Sequence, residues 1–244
     1  MTHPSPVVDA DWLEQHLGDP SIRIVDGTVH LPDTGRNAAA EFAAAHIPGA
    51  VFFDFDRIAD PEHALPRKFP PSKVFEREVG KLGIDNQTHV IAYDTPGLYS
   101  AARVWWLFRH YGYDNVSILD GGFKHWQAEG RPVASGEAAV SPRSFTVGEI
   151  RDLFADWEHV LELANGRDDE QLIDARTPGR FAGTEQDRYP GTRSGHIPNS
   201  LNLYWAELLD PHTRRLLPAE EIHARLTRAG ITWDRPVTAT CGSG

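Results

Sequence analysis

Val90-Ile91-Ala92-Tyr93-Asp94 and Val237-Thr238-Ala239-Thr240-Cys241 are two short apolar runs 147 residues apart. Three more pairs of segments keep the same order. Ile24-Val25-Asp26 matches Leu172-Ile173-Asp174 at an offset of 148, and Lys81-Leu82-Gly83-Ile84 matches Arg228-Ala229-Gly230-Ile231 at 147. Ala45-His46-Ile47-Pro48-Gly49-Ala50 matches Gly195-His196-Ile197-Pro198-Asn199-Ser200 at 150. A repeat of this period describes two tandem domains and not a solenoid. The length, 244 residues, suits two domains as well. Residues 131–144 are rich in Pro, Ala, Ser and Gly and lack periodicity, as a boundary does. The expected division is a first domain over 1–132, a linker over 133–144 and a second domain over 145–244.

Each half alternates strand and helix signals. Ile22–Asp26, His89–Tyr93 and Val116–Leu119 are short runs rich in apolar and β-branched residues, which predicts strands. Phe75, Val79 and Leu82 recur at helical spacing behind Ser72, a candidate N-cap, and Ile222, Leu226 and Ala229 repeat that spacing. Val104, Trp105, Leu107, Phe108 and Tyr111 give residues 101–111 a wide apolar helical face, so Trp105 and Trp106 read as packing residues. Strands and helices alternating at this density imply βαβ units, hence an α/β fold with a parallel sheet flanked by helices in each domain. Residues 95–131 have no counterpart after Cys241. By the repeat, the natural protein is expected to be longer by a helix, a strand and a helix. The second domain would then be incomplete at its C-terminus, with unpaired backbone groups, an uncovered apolar face and low stability.

The formal net charge is -11 and no basic patch is visible, which argues against nucleic acid as a partner. Residues 1–10 have neither a basic start nor an apolar run, and no stretch approaches the roughly 18 apolar residues of a membrane span. One cysteine makes no internal disulfide. A soluble, cytoplasmic protein is expected. The twelve histidines show no metal-ligand spacing, and no G-x-G-x-x-G or phosphate-loop pattern occurs, so neither metal nor cofactor is expected.

The chemistry centres on Cys241. In a parallel α/β fold, ligands bind in the loops after the C-terminal ends of strands, and Cys241 directly follows such a strand. Gly242 and Gly244 flank Ser243, and glycines there let successive amides turn toward one anion. Such a setting favours the thiolate, which is the nucleophilic form. The plain alternative is a structural cysteine at a strand end.

Thr240-Cys241-Gly242-Ser243-Gly244 resembles the active loop of the 3-mercaptopyruvate sulfurtransferases of the tandem-domain rhodanese family. His46-Ile47-Pro48-Gly49-Ala50, Arg103-Val104-Trp105-Trp106, Leu119-Asp120-Gly121-Gly122-Phe123, Asp174-Ala175-Arg176 with Gly179-Arg180-Phe181, and Gly195-His196-Ile197-Pro198 are similar to that family's motifs in the same order. The resemblance implies an inert N-terminal domain, with Asp94 at its cysteine position, and a catalytic C-terminal one. It implies that Cys241 takes sulfur from a small donor, 3-mercaptopyruvate or thiosulfate, as a persulfide. A thiol, thioredoxin or cyanide would accept that sulfur.

In this reading Gly242, Ser243 and Gly244 form the loop, and Ser243 donates to the reacting sulfur or the substrate carbonyl. Arg180 matches a family arginine that holds the substrate carboxylate. A second such arginine falls on Arg188, shifted by one position with Tyr189 nearest the usual place, or on Arg193; Arg188 is preferred. His46 matches a member of a proposed serine–histidine–aspartate relay, although only Asn37 and Glu41 stand where the aspartate would be. The recurrence of His-Ile-Pro gives His46 and His196 an alternative structural role. A thiosulfate-specific rhodanese, a fold-related phosphatase and a non-catalytic binding module are the competing readings.

Overall fold

The computed structural model describes residues 4–31, 34–63, 67–167, 169–186 and 191–242. The chain divides into two compact units, one ending at Arg151 and the other beginning at Asp152.

In the first unit the elements run β1 (Val7–Val8), α1 (Ala10–Gln15), β2 (Ile22–Asp26), α2 (Ala38–Ala44), β3 (Val51–Phe52), α3 (Ser72–Lys81), β4 (His89–Tyr93), α4 (Ala101–His110), β5 (Val116–Leu119) and α5 (Gly122–Ala128). The sheet order is β1-β5-β4-β2-β3, and every pairing is parallel. Alternate side chains serve opposite faces, as strand geometry requires. Val25, Val90, Ala92, Val116 and Ile118 pack with Phe75 and Val79 of α3 and Val104, Leu107 and Phe108 of α4. Ile24, Ile91, Tyr93 and Leu119 pack with Leu13, Phe42, Phe123 and Trp126 on the other side. Burial on both faces explains why these strands read as near-continuous apolar runs.

Two expectations need correction. Ser72 is the first residue of α3 and not its cap; Pro71 occupies the cap position, and no side chain bonds the free amides there. The division of the chain also falls later than expected. Residues 133–144 are not a free linker: His46 and Ala134 form an antiparallel bridge, and the amides of Gly136 and Arg143 donate to the carbonyls of Ala43 and Gly80. Phe145, expected in the second domain, is 5% exposed in the core of the first, edge-on to Phe75, Phe108 and Tyr113. Asn86 and Thr146 exchange two hydrogen bonds, and Arg151 forks onto Asp114 at 2.5 and 2.7 Å. The segment from 133 to 151 is therefore a strap fastened to the first unit.

The second unit contains α6 (Trp157–Ala164), β6 (Gln171–Asp174), α7 (Pro178–Ala182), β7 (Ser200–Asn202), a 3-10 turn at Trp205–Leu208, α8 (Ala219–Arg228) and β8 (Val237–Thr240). Its parallel sheet has the order β7-β6-β8. Ile173, Leu203 and Ile231 form a small core with Leu201, Leu208 and Leu226 packed against it. β4 of the first unit lies between two strands, whereas β8 at the matching place pairs with β6 alone among the described residues. Val237 of β8 is 45% exposed.

The strap yields a first prediction. Phe145→Ala should destabilise the first unit by about 3–5 kcal/mol, the usual cost of emptying a buried phenylalanine site. Denaturant unfolding of the whole chain measures this. A change below about 1 kcal/mol would show that the strap is only loosely held.

Candidate active site

The second unit's site stands at the C-terminal ends of β6 and β8. Their register pairs Asp174 with Thr240, and the Ala175 amide donates to the Thr240 carbonyl at 2.8 Å. This pairing brings the chain leaving β6 beside the chain leaving β8, so residues 175–182 lie next to Cys241 and Gly242. Asp174 is 1% exposed and anchors this end. Its carboxylate receives Nε of Arg176 at 3.0 Å and Nη2 at 2.6 Å, and the same Nη2 donates to the Gly195 carbonyl at 2.7 Å. Asn202, at the end of β7, donates from Nδ2 to the carbonyls of Asp174 and Arg176. Together these bonds fix the turn that leads into α7.

α7 follows because Thr177 caps it, accepting from the Arg180 amide, because Pro178 starts it, and because Gly183 ends it in the left-handed region at φ 77°. Thr177 in turn donates to Glu185 at 2.6 Å. This short helix carries Arg180 onto the loop after β8. A Cβ placed on Gly242 would fall 2.6 Å from Nη2 and 3.3 Å from Nη1 of Arg180. The guanidinium therefore lies against the bare backbone at Gly242, and any other residue would push it away. Cys241, the adjoining residue, is exposed. A planar cation next to an accessible sulfur suits a substrate that carries an anionic group beside an electrophilic atom.

The first unit shows what the same turn does when filled. Asp94 follows β4 as Cys241 follows β8. It is fully buried, and its carboxylate accepts from the amides of Gly97 at 2.6 Å, Tyr99 at 2.8 Å and Ala101 at 2.7 Å. Burial pushes this carboxyl above its ordinary value, and the surrounding amides pull against that shift. The loop is thus an anion cradle occupied by its own side chain. The expected turn at Asp120-Gly121-Gly122 closes behind it, with the Phe123 amide donating to the Asp94 carbonyl at 2.9 Å.

The other expected site residues fare differently. Arg188, Ser243 and Gly244 lie outside the described residues. Arg193 is exposed in the loop before Gly195. His46 is 2% exposed in the first unit, where Nδ1 donates to the Phe42 carbonyl at 2.7 Å and the ring stacks on Phe42 at 4.2 Å. His196 repeats this in the second unit, on the Phe181 carbonyl and ring at 2.8 and 3.8 Å. Both histidines therefore clamp the end of a helix to a later turn, and this shared geometry supports the structural role that the recurrence of His-Ile-Pro suggested for His46. Among the described residues no cluster of three or more His, Cys, Asp or Glu could hold a metal ion.

Comparison with known proteins settles the family. Residues 9–129 match the rhodanese-like domain family. The 3-mercaptopyruvate sulfurtransferase of Rattus norvegicus is 38% identical over 244 residues, which cover 98% of this chain and 82% of that protein. The Escherichia coli K12 protein of the same name is 37% identical over 97% of this chain and 84% of its own length. The thiosulfate/3-mercaptopyruvate sulfurtransferase 1 of Arabidopsis thaliana is 39% identical over 98% and 68%. This chain belongs to the rhodanese family of sulfurtransferases. The crystal structure of E. coli SseA, a 3-mercaptopyruvate sulfotransferase, superimposes with a TM-score of 0.87 at 35% identity, over 98% of this chain and 89% of that one.

Within this rhodanese-family site, reasoning from sequence gave Arg176 no role. Its signal was there, in the Asp174-Ala175-Arg176 motif, where a buried carboxylate two residues before an arginine invites a fork.

The close approach at Gly242 is testable. Gly242→Ala should displace Arg180 and lower kcat/KM for sulfur transfer by about a hundredfold, the scale of a misplacement near 1 Å. The melting temperature should hardly move. An unchanged kcat/KM would show that the contact plays no part in turnover.

Proposed function

We propose that this rhodanese-family enzyme takes sulfur from 3-mercaptopyruvate or thiosulfate onto Cys241 as a persulfide and passes it to a thiol, thioredoxin or cyanide. The observation that carries this reading is the guanidinium of Arg180 against the backbone beside the exposed Cys241 thiol. Arg180 grips the donor's carboxylate through its two-pronged fork and so places the donor sulfur over Cys241. The Cys241 thiolate attacks that sulfur. The carbon–sulfur bond breaks, its electron pair passes to the departing carbon as the pyruvate enolate, and a proton from solvent completes pyruvate. With thiosulfate the sulfur–sulfur bond breaks instead, and sulfite leaves with the electron pair. In the second half-reaction an acceptor thiolate attacks the outer sulfur, and Cys241 leaves as the thiolate that began the cycle.

The persulfide is an anion when deprotonated and needs donors around it. The Asp94 cradle supports that part of the reading, since the equivalent turn of the first unit gathers three amides on one anionic group.

Intact-protein mass spectrometry tests the proposal. Incubation with 3-mercaptopyruvate, and separately with thiosulfate, should add roughly 32 Da, one sulfur atom, to the wild-type chain and nothing to Cys241→Ser. Addition from thiosulfate alone would reassign the donor. Addition from neither would overturn the proposal.

A further inference from the structure

The first unit has a cavity lined by two arginines at the end of its sheet opposite the Asp94 loop. This cavity of about 220 Å³ opens at the N-terminal end of β2 and is lined by His16, Asp19, Arg23 and Arg143, among others. Arg23 is half-buried, and its Nε is fully buried with no hydrogen-bond partner among the described residues. Burial, and after it the nearby positive charge of Arg143, loosens the hold of Arg23 on its proton. Arg143 is held at the rim by the Asp85 carboxylate at 3.2 Å. The one carboxylate of the lining, Asp19, is turned to the amide and hydroxyl of Ser21 at 2.8 and 2.7 Å. His16 donates from Nδ1 to the Trp12 carbonyl and stacks on that indole, which fixes its ring at the edge of the cavity.

The second unit supplies an internal control. Arg23 pairs in register with Val90, and at the matching place Gln171 pairs with Val237. A cavity of about 300 Å³ lies there too, lined by Gln171, Leu172 and Gly230. Gln171, however, is neutral and satisfied. Its amide nitrogen Nε2 donates to the carbonyls of Thr232 and Arg235, and its Oε1 accepts from the Thr232 amide. The same backbone position thus holds a satisfied amide in one unit and an uncompensated cation in the other. A cation left without a counter-charge beside a second cation costs stability. The fold bears that cost at Arg23 although its own repeat shows that glutamine fits.

We propose that this cavity binds a small tetrahedral dianion of the sulfate type, held by the guanidinium groups of Arg23 and Arg143. Two arginines lining one cavity suit an ion with several oxygens and two charges. The cavity's lining belongs wholly to the first unit, at the end of its sheet opposite the turns at Asp94 and Asp26, whereas Arg180 and Cys241 belong to the second. The site is therefore separate from the one that Arg180 serves.

Isothermal titration of the whole chain with sodium sulfate, at ionic strength held constant with chloride, tests this. The chain's net charge of -11 disfavours diffuse anion binding, so saturable uptake points to a built site. Wild type should bind one sulfate at this site. Arg23→Gln, which installs the residue the second unit uses, should weaken that binding by about tenfold or more, and Arg180→Gln should leave it unchanged. No saturable binding in wild type, or binding lost in Arg180→Gln and kept in Arg23→Gln, would overturn the proposal. Should Arg23→Gln fail to fold, the wild-type chain still decides the question. Sulfate should slow modification of Arg23 by an arginine-directed dicarbonyl reagent, read by peptide mass, and an unchanged rate would overturn the site.

Discussion

The parallel pairing of β6 with β8 is the constraint on which the site depends. It sets the ends of two strands side by side, Asp174 against Thr240, and leaves their following turns to meet. One turn is stiffened by Asp174, Arg176 and Asn202 and carries Arg180 on a capped helix of five residues. The other begins with the only thiol of the chain and then presents a glycine with no side chain to keep the arginine away. Hydrogen bonds fix the backbone, the backbone sets the arginine against Gly242, and in the proposed function the arginine selects the molecule that approaches the sulfur. A register slip of one residue would turn Thr240 to the other face and separate the two groups.

The two halves of the chain are variations on one design, and their differences carry information. After β4 the turn folds around Asp94, whose buried carboxylate takes three amides. The cradle there is filled by the chain's own carboxylate. After β8 the same position holds a thiol, which is exposed. Conversely, the first unit keeps an arginine at a strand position where the second uses a hydrogen-bonded glutamine. In both comparisons the backbone is shared and one side chain changes the chemistry.

Much of this was legible in the sequence because strands and repeats leave local marks. Ile22–Asp26, His89–Tyr93 and Val116–Leu119 formed as read, since both faces of the first sheet are buried and the apolar runs have no polar face to blur them. The placement of Arg180 beside the turn after β8 followed from motif and position. The strap was not. Residues 131–144 have the composition of a linker, and composition does not reveal that Ala134 pairs with His46 or that Phe145 fills a gap between Phe75 and Phe108. The histidine of His-Ile-Pro was ambiguous for a related reason. Its role depends on the aromatic residue it stacks on, Phe42 or Phe181, which lies four residues before His46 and fifteen before His196. Arg176 was hidden by its ordinary neighbours, and only the fold shows its fork on Asp174.

The central claim is that Arg180 makes the surroundings of Cys241 receptive to anions. Alkylation rates measure this without turnover or a native substrate. Anionic iodoacetate and neutral iodoacetamide attack the same thiol, and the ratio of their rates reports the local charge. The account predicts that Arg180→Gln lowers the iodoacetate-to-iodoacetamide ratio by about tenfold, equivalent to about 1.4 kcal/mol of lost attraction. A ratio that is the same in wild type and variant would contradict it, since Arg180 would then not act on what reaches Cys241.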